Sequence, residues 1–209
     1  MLSKSACVIL GVCVGYASGV LAAPNEPTLR TLLKPLSKIV SILFEFRETR
    51  GSAFFKQPQI SRGTLYYARP DHIIKQVTHP TAQRFEVDGQ SFSRQVRDAE
   101  TQVVSTQQFD LTETPALKTF TRILLDVLQN NTAALEREYV FEIEQQPAFW
   151  RLTLSPKVRM GADGISAQAF DSIIIEGNAQ QLLNLHLVGA GGEYTHMQIL
   201  NIIKQQREP

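Results

Sequence analysis

GTLYYARPDHIIKQ, residues 63–76, reads as two short strands joined at a proline. Leu65, Tyr67 and Arg69 share one side of an alternating pattern, the period-two signature of a half-buried strand. Pro70 has no N–H and a fixed φ, so it closes the first strand, and a second starts at His72. On that second strand Ile73, Lys75 and Val77 fall on one face. A face that carries an arginine and a lysine among apolar residues needs, for each charge, either a partner or a route to water.

The same alternation extends in both directions. Upstream, Val40, Ile42, Phe44 and Phe46 alternate with Ser41, Leu43, Glu45 and Arg47, which predicts a strand to about Arg50. Before it, Leu29, Leu32, Leu33 and Leu36 lie on one helical face, with Thr28 placed to cap and Pro35 to end a short helix. Downstream, strands are expected over 83–87, 91–96 and 102–108. Asp88-Gly89 is a hairpin signal for a type I′ turn, which wants positive φ at both central residues. Thr114 and Pro115 then start a helix whose stripe is Leu117, Phe120, Leu124 and Val127, and a shorter helix follows near 132–136. Strands resume over 139–144, 149–154, 169–176, 182–188 and 194–199, with turns at Gly177-Asn178 and Ala190-Gly191-Gly192. The segment 156–166 has no assignable pattern. Short strands with short connections, interrupted once by a helix pair, indicate a mainly β, α+β fold built on an antiparallel meander.

The 209 residues suffice for one domain with a sizeable core. Residues 1–22 have the features of a cleaved signal peptide: Lys4, an apolar stretch from Ala6 to Leu21, and the small Ala22 at the expected cleavage point. Residues 23–209 then form a single domain. Both cysteines, Cys7 and Cys13, fall inside the signal segment, so the mature chain has no disulfide, thiolate metal site or cysteine nucleophile. Without Lys4 the basic and acidic residues balance at 20 each, a composition that does not suit nucleic acid or an anionic membrane surface.

Catalytic patterns are missing. His72, His79, His186 and His196 show no ligand spacing, although His186 and His196 are placed to face each other across the last hairpin. No serine sits in a nucleophile elbow, no glycine-rich phosphate loop follows a strand, and Asp88 has turn chemistry. The expectation is a protein that is not an enzyme and needs no metal or cofactor. A single antiparallel sheet must bury one face, and the two amphipathic helix segments can cover it. Periodicity reports burial only, so two outcomes stay open: helices that fill the space, or a cavity between helices and sheet.

Gly63-x-Leu65-x-x-x-Arg69-Pro70, then His79-Pro80, then Val87-Asp88-Gly89, with Phe46-Arg47-Glu48 upstream, resembles the LolA family of periplasmic lipoprotein carriers and its relatives. The detailed likeness covers residues 28 to about 95; beyond that the order of elements carries it. The resemblance implies an unclosed antiparallel β-barrel covered by a helical lid, with a cavity that shelters acyl chains in the periplasm. It implies that Arg69 points inward and latches to carbonyls at a lid-helix end. Parity then places Phe44, Phe46, Leu65, Tyr67, Ile73, Val77, Phe85, Val87 and Phe92 on the cavity wall, with Leu117, Phe120 and Leu124 beneath the lid. Lys75 departs from the family, which has an aromatic or apolar residue there. Its proposed role is contact with an anionic head group at the cavity mouth.

The end of the chain departs as well. The family continues past its last shared strand with an F-x-F-x-x-P-x-G-like segment that bears on traffic with the inner membrane, whereas this chain reads MQILNII from Met197 and finishes in polar Lys204 to Pro209. Cargo other than a lipoprotein, such as a glycolipid or other acyl product, is therefore in view. The expected protein is a monomeric periplasmic carrier of lipoprotein acyl chains or another lipid, working between an inner-membrane donor and an outer-membrane acceptor. The alternative is a sensor or regulatory module of the same fold that recognises lipidated or misfolded envelope proteins.

Overall fold

The computed structural model describes residues 28–52, 56–98, 100–110, 115–157, 170–189 and 191–208. The signal segment, Thr114 and most of the stretch 156–166 lie outside them.

Thr28 caps α1 (Leu29–Leu33), its hydroxyl oxygen accepting from the Thr31 N–H. Pro35 ends that helix, and a 3₁₀ turn at Leu36–Lys38 leads into β1 (Ile39–Gly51). All four leucines of the predicted helical face are buried. Five strands follow: β2 (Gln59–Ala68), β3 (His72–His79), β4 (Gln83–Asp88), β5 (Ser91–Arg97) and β6 (Val104–Asp110). Then come α2 (Pro115–Leu128), α3 (Thr132–Glu138) and β7 (Tyr139–Gln145), β8 (Trp150–Pro156), β9 (Ser172–Gly177), β10 (Leu182–Val188) and β11 (Tyr194–Arg207). These strands make one antiparallel sheet in the order β6-β5-β4-β3-β2-β1-β11-β10-β9-β8-β7. The sheet is unclosed, with β6 and β7 at its edges, and α2 and α3 connect one edge to the other.

The inner face of β1 is Ile42, Phe44, Phe46 and Glu48, all buried. The sheet is strongly rolled. Phe92 on β5 and Leu187 on β10 line the same cavity although six strand spacings separate them, about 29 Å in a flat sheet.

Two sequence expectations are corrected. The β4–β5 loop is centred on Gly89-Gln90, between the paired Asp88 and Ser91, and only Gly89 has positive φ, at 59°. That is the II′ pattern, not I′. The final strand does not stop at Ile199. It continues to Arg207, paired with β1 down to Ile39, so the polar tail is an interior strand of the sheet. Register shifts opposite Leu43/Phe44 and Glu45/Phe46 leave Ile203 and Leu200 without an opposing residue, and these two are exposed apolar side chains. Such bulges break period two, which hid the strand in the sequence.

Gly63 sits where β2 and β3 shift register. A Cβ at this position would lie 1.8 Å from the carbonyl oxygen of Gln76, so the backbones approach as only glycine permits.

Candidate functional site

The stripe of α2 lies against the inner face of the sheet. Its C-terminal half is tightly seated, with Ile123, Leu124, Val127 and Leu128 buried, whereas Leu117 and Phe120 in the N-terminal half are only partly buried. Burying four such side chains stabilises the seat by roughly 6–12 kcal/mol before the entropy of ordering is deducted. The helix is pinned beyond Leu128: Gln129 Nε2 donates to the Pro70 carbonyl, and Asn130 Nδ2 donates to the Arg30 carbonyl at 3.2 Å. Asn130 itself takes the left-handed conformation (φ 56°) that commonly terminates a helix.

The graded seating produces two adjacent spaces. Beneath the buried half, a gap of about 20 Å³ is left among Phe44, Leu65, Tyr67, Phe120 and Leu124, together with Ile39, Ile42, Leu128, Leu182, Leu185, Met197 and Ile199. That is room for one water, and the walls are apolar. Beneath the N-terminal half lies a cavity of about 330 Å³, within the range of small-ligand sites. Leu65, Ile73, Phe85, Val87, Phe92, Leu117 and Phe120 line it, as does Lys75. Leu65, Phe120 and Met197 belong to both walls. Phe85 and Phe92 stack at 6.3 Å between centroids, and Phe92 stacks on Phe109 at 5.8 Å, which forms one aromatic flank.

Most of the residues selected by parity therefore converge. Phe46 and Val77 face inward and are buried, but they are core and belong to neither wall. Arg69 lies just past the end of β2. Its guanidinium pairs with Glu208 beyond β11, not with carbonyls at a helix end. The contact between this corner and α2 is instead made by the carbonyl of Pro70 with Gln129. Burial pushes the Tyr67 phenol above its ordinary value, opposed by the Gln129 and Arg69 side chains beside it.

Lys75 points inward, and its partner is a residue that sequence reasoning missed. Nζ donates to Glu48 Oε2 at 2.5 Å and lies 5.0 Å from the centroid of the Phe46 ring. Glu48 Oε1 is 2.8 Å from Arg50 Nε. The Glu48 side chain is 4% exposed, Lys75 14% and Arg50 56%, so the cluster runs from the core to the surface. Burial pushes the Lys75 ammonium below its ordinary value; Glu48 opposes this and Arg50 adds to it. The signal for Glu48 was its parity with Phe44 and Phe46. Thr121 on α2 and Phe170 ahead of β9 also reach the cavity wall, as do Leu187 and Thr195, from strands whose neighbours only the sheet order reveals.

His186 and His196 are cross-strand neighbours with ring centroids 5.5 Å apart. They alternate with buried Leu185, Leu187 and Met197 and so lie on the outer face. Among the described residues no group of three or more His, Cys, Asp or Glu side chains is placed to hold a metal.

An open antiparallel sheet rolled around a mainly apolar cavity, with a helix laid across it, defines the class of β-protein to which this chain's fold belongs. Residues 22–198 match the family model for outer membrane lipoprotein carrier protein LolA-like, and the chain belongs to that family. No curated protein matches it. Among solved structures it is similar to a LolA superfamily protein from Nitrosomonas europaea, at 12% identity over 88% of this chain and 96% of that one, with a TM-score of 0.41. It is also similar to a DUF1329 family protein from Desulfovibrio piger, at 9% identity over 83% and 89% of the two chains and a TM-score of 0.40.

Proposed function

We propose that this protein is a periplasmic carrier that shelters an acyl chain of a lipoprotein or another lipid for transfer towards the outer membrane. The observation that carries the reading is the 330 Å³ cavity, walled mainly by apolar side chains, inside a member of the LolA-like family. An apolar chain moved from water into such a space gains about 0.8 kcal/mol per methylene, enough to hold a lipid in an aqueous compartment. In this reading α2 is the lid. Its seated C-terminal half is the fixed end, and the half bearing Leu117 and Phe120 lifts to admit cargo. The protein acts by binding and release, without catalysing a reaction, between a membrane donor and acceptor.

The test is mass spectrometry on an organic extract of the protein purified from the periplasm of its host. A stoichiometric lipid supports the carrier and names its cargo. An empty extract, with no uptake of a fluorescent fatty acid afterwards, sinks the reading.

A further inference from the structure

The wall of the cavity is not uniformly apolar, and its charged groups are segregated. Ile73, Val87 and Phe92 form one rung, paired in sequence across β3, β4 and β5, and that rung continues through Tyr67 to Ile42 near the start of β1. The charged residues gather toward the other end of β1. Glu48 and Arg50 lie there, Thr195 sits directly opposite Arg50 on β11, and the Lys75 side chain passes over Phe46 to reach Glu48. Among the described residues two cations meet one carboxylate, so that cluster has a surplus of one positive charge. Lys75 and Glu48 are largely removed from water and answer each other, so the surplus falls to Arg50. Arg50, more than half exposed, places the surplus where the cavity meets solvent.

We infer that the cavity takes an amphiphile with a single acyl-type chain and an anionic head group, a carboxylate or a phosphate monoester. The chain lies toward the Ile73–Val87–Phe92 rung, and the anion sits between Lys75 and Arg50, beside Thr195. With a carboxylate in place two positive charges face two negative ones, and a phosphate monoester, at about −1.5 to −2, more than answers the surplus. The arginine fork suits either head group, and the lysine acts as a point charge. A neutral head group leaves the surplus unanswered. This inference rests on the carrier reading and adds the class of cargo to it.

The experiment measures binding of dodecanoate, dodecyl phosphate and dodecanol to delipidated protein by calorimetry near neutral pH. The expected result is that the two anions bind at least about tenfold more tightly than the alcohol, a preference weakened by salt. In Lys75→Met the preference for the anions falls to within about twofold. Arg50→Gln, which leaves the buried Lys75–Glu48 pair intact, reduces it by about threefold or more and covers the case in which Lys75→Met fails to fold. The stronger of the two anions shows whether the natural head group is an acid or a phosphate. Equal binding of all three overturns the head-group inference while leaving the carrier reading standing. If none of the three binds, both fall.

Discussion

Replacing Gly63 by alanine tests whether the sheet is built as described. The added Cβ would lie 1.8 Å from the Gln76 oxygen, 2.8 Å from its carbonyl carbon and 2.9 Å from the Val77 Cα. All three are backbone atoms, so no side chain can swing aside, and β2 and β3 must separate. Overpacking strain of about 1–3 kcal/mol adds to the loss of the two nearest ladder hydrogen bonds, about 0.5–1.5 kcal/mol each. The total is about 2–6 kcal/mol, a large share of the stability of a single domain. A chain of this size loses about 2–4 °C in Tm per kcal/mol, so the variant should melt roughly 4–24 °C lower. Gly192→Ala is the comparison. That glycine has φ 77° but no atom within 4 Å of an added Cβ, so it suffers only backbone strain, about 1–2 kcal/mol. Urea unfolding followed by circular dichroism measures both. If Gly63→Ala unfolds within 1 kcal/mol of the parent, the close approach of β2 and β3 is wrong. The register that places Leu65 beside Lys75 would then be in doubt as well.

Glu48→Ala leaves Lys75 buried without its counter-ion and should cost about 3–5 kcal/mol, with most of the loss recovered in the Glu48→Ala/Lys75→Met double variant; strictly additive losses in a double-mutant cycle would contradict the pairing. Glu208→Ala should change stability by less than about 1 kcal/mol, because its bridge to Arg69 is more than half exposed on the carboxylate side; a much larger drop in the urea midpoint would mean that this pair holds the sheet. Burial and the neighbouring His196 push the His186 imidazole below its ordinary value. The unfolded chain therefore takes up that proton first, and stability should fall as pH drops below about 6.5. His186→Gln should flatten that part of the Tm–pH curve, and an unchanged slope would remove the assignment.

The sequence by itself carried the period of nearly every element. It also carried the single interruption by helices and, through the motifs from Phe46 to Gly89, the family that residues 22–198 match. Those features are local: alternation at period two, a helical stripe, and glycine or proline at turns. The inward parity of Lys75 was equally legible. Its partner was not, because Glu48 lies on β1, with β2 between that strand and β3, and only sheet order brings the two within 2.5 Å. Arg69 illustrates the same limit. Its parity was readable, but its acceptor came from Glu208, at the far end of a strand whose bulges had erased the alternation. The cavity was beyond the sequence for a further reason. Burial follows from hydrophobic pattern residue by residue, whereas empty volume is what remains after all side chains have packed. Here the difference between a filled gap and a 330 Å³ cavity depends on how closely each half of α2 seats on a rolled sheet.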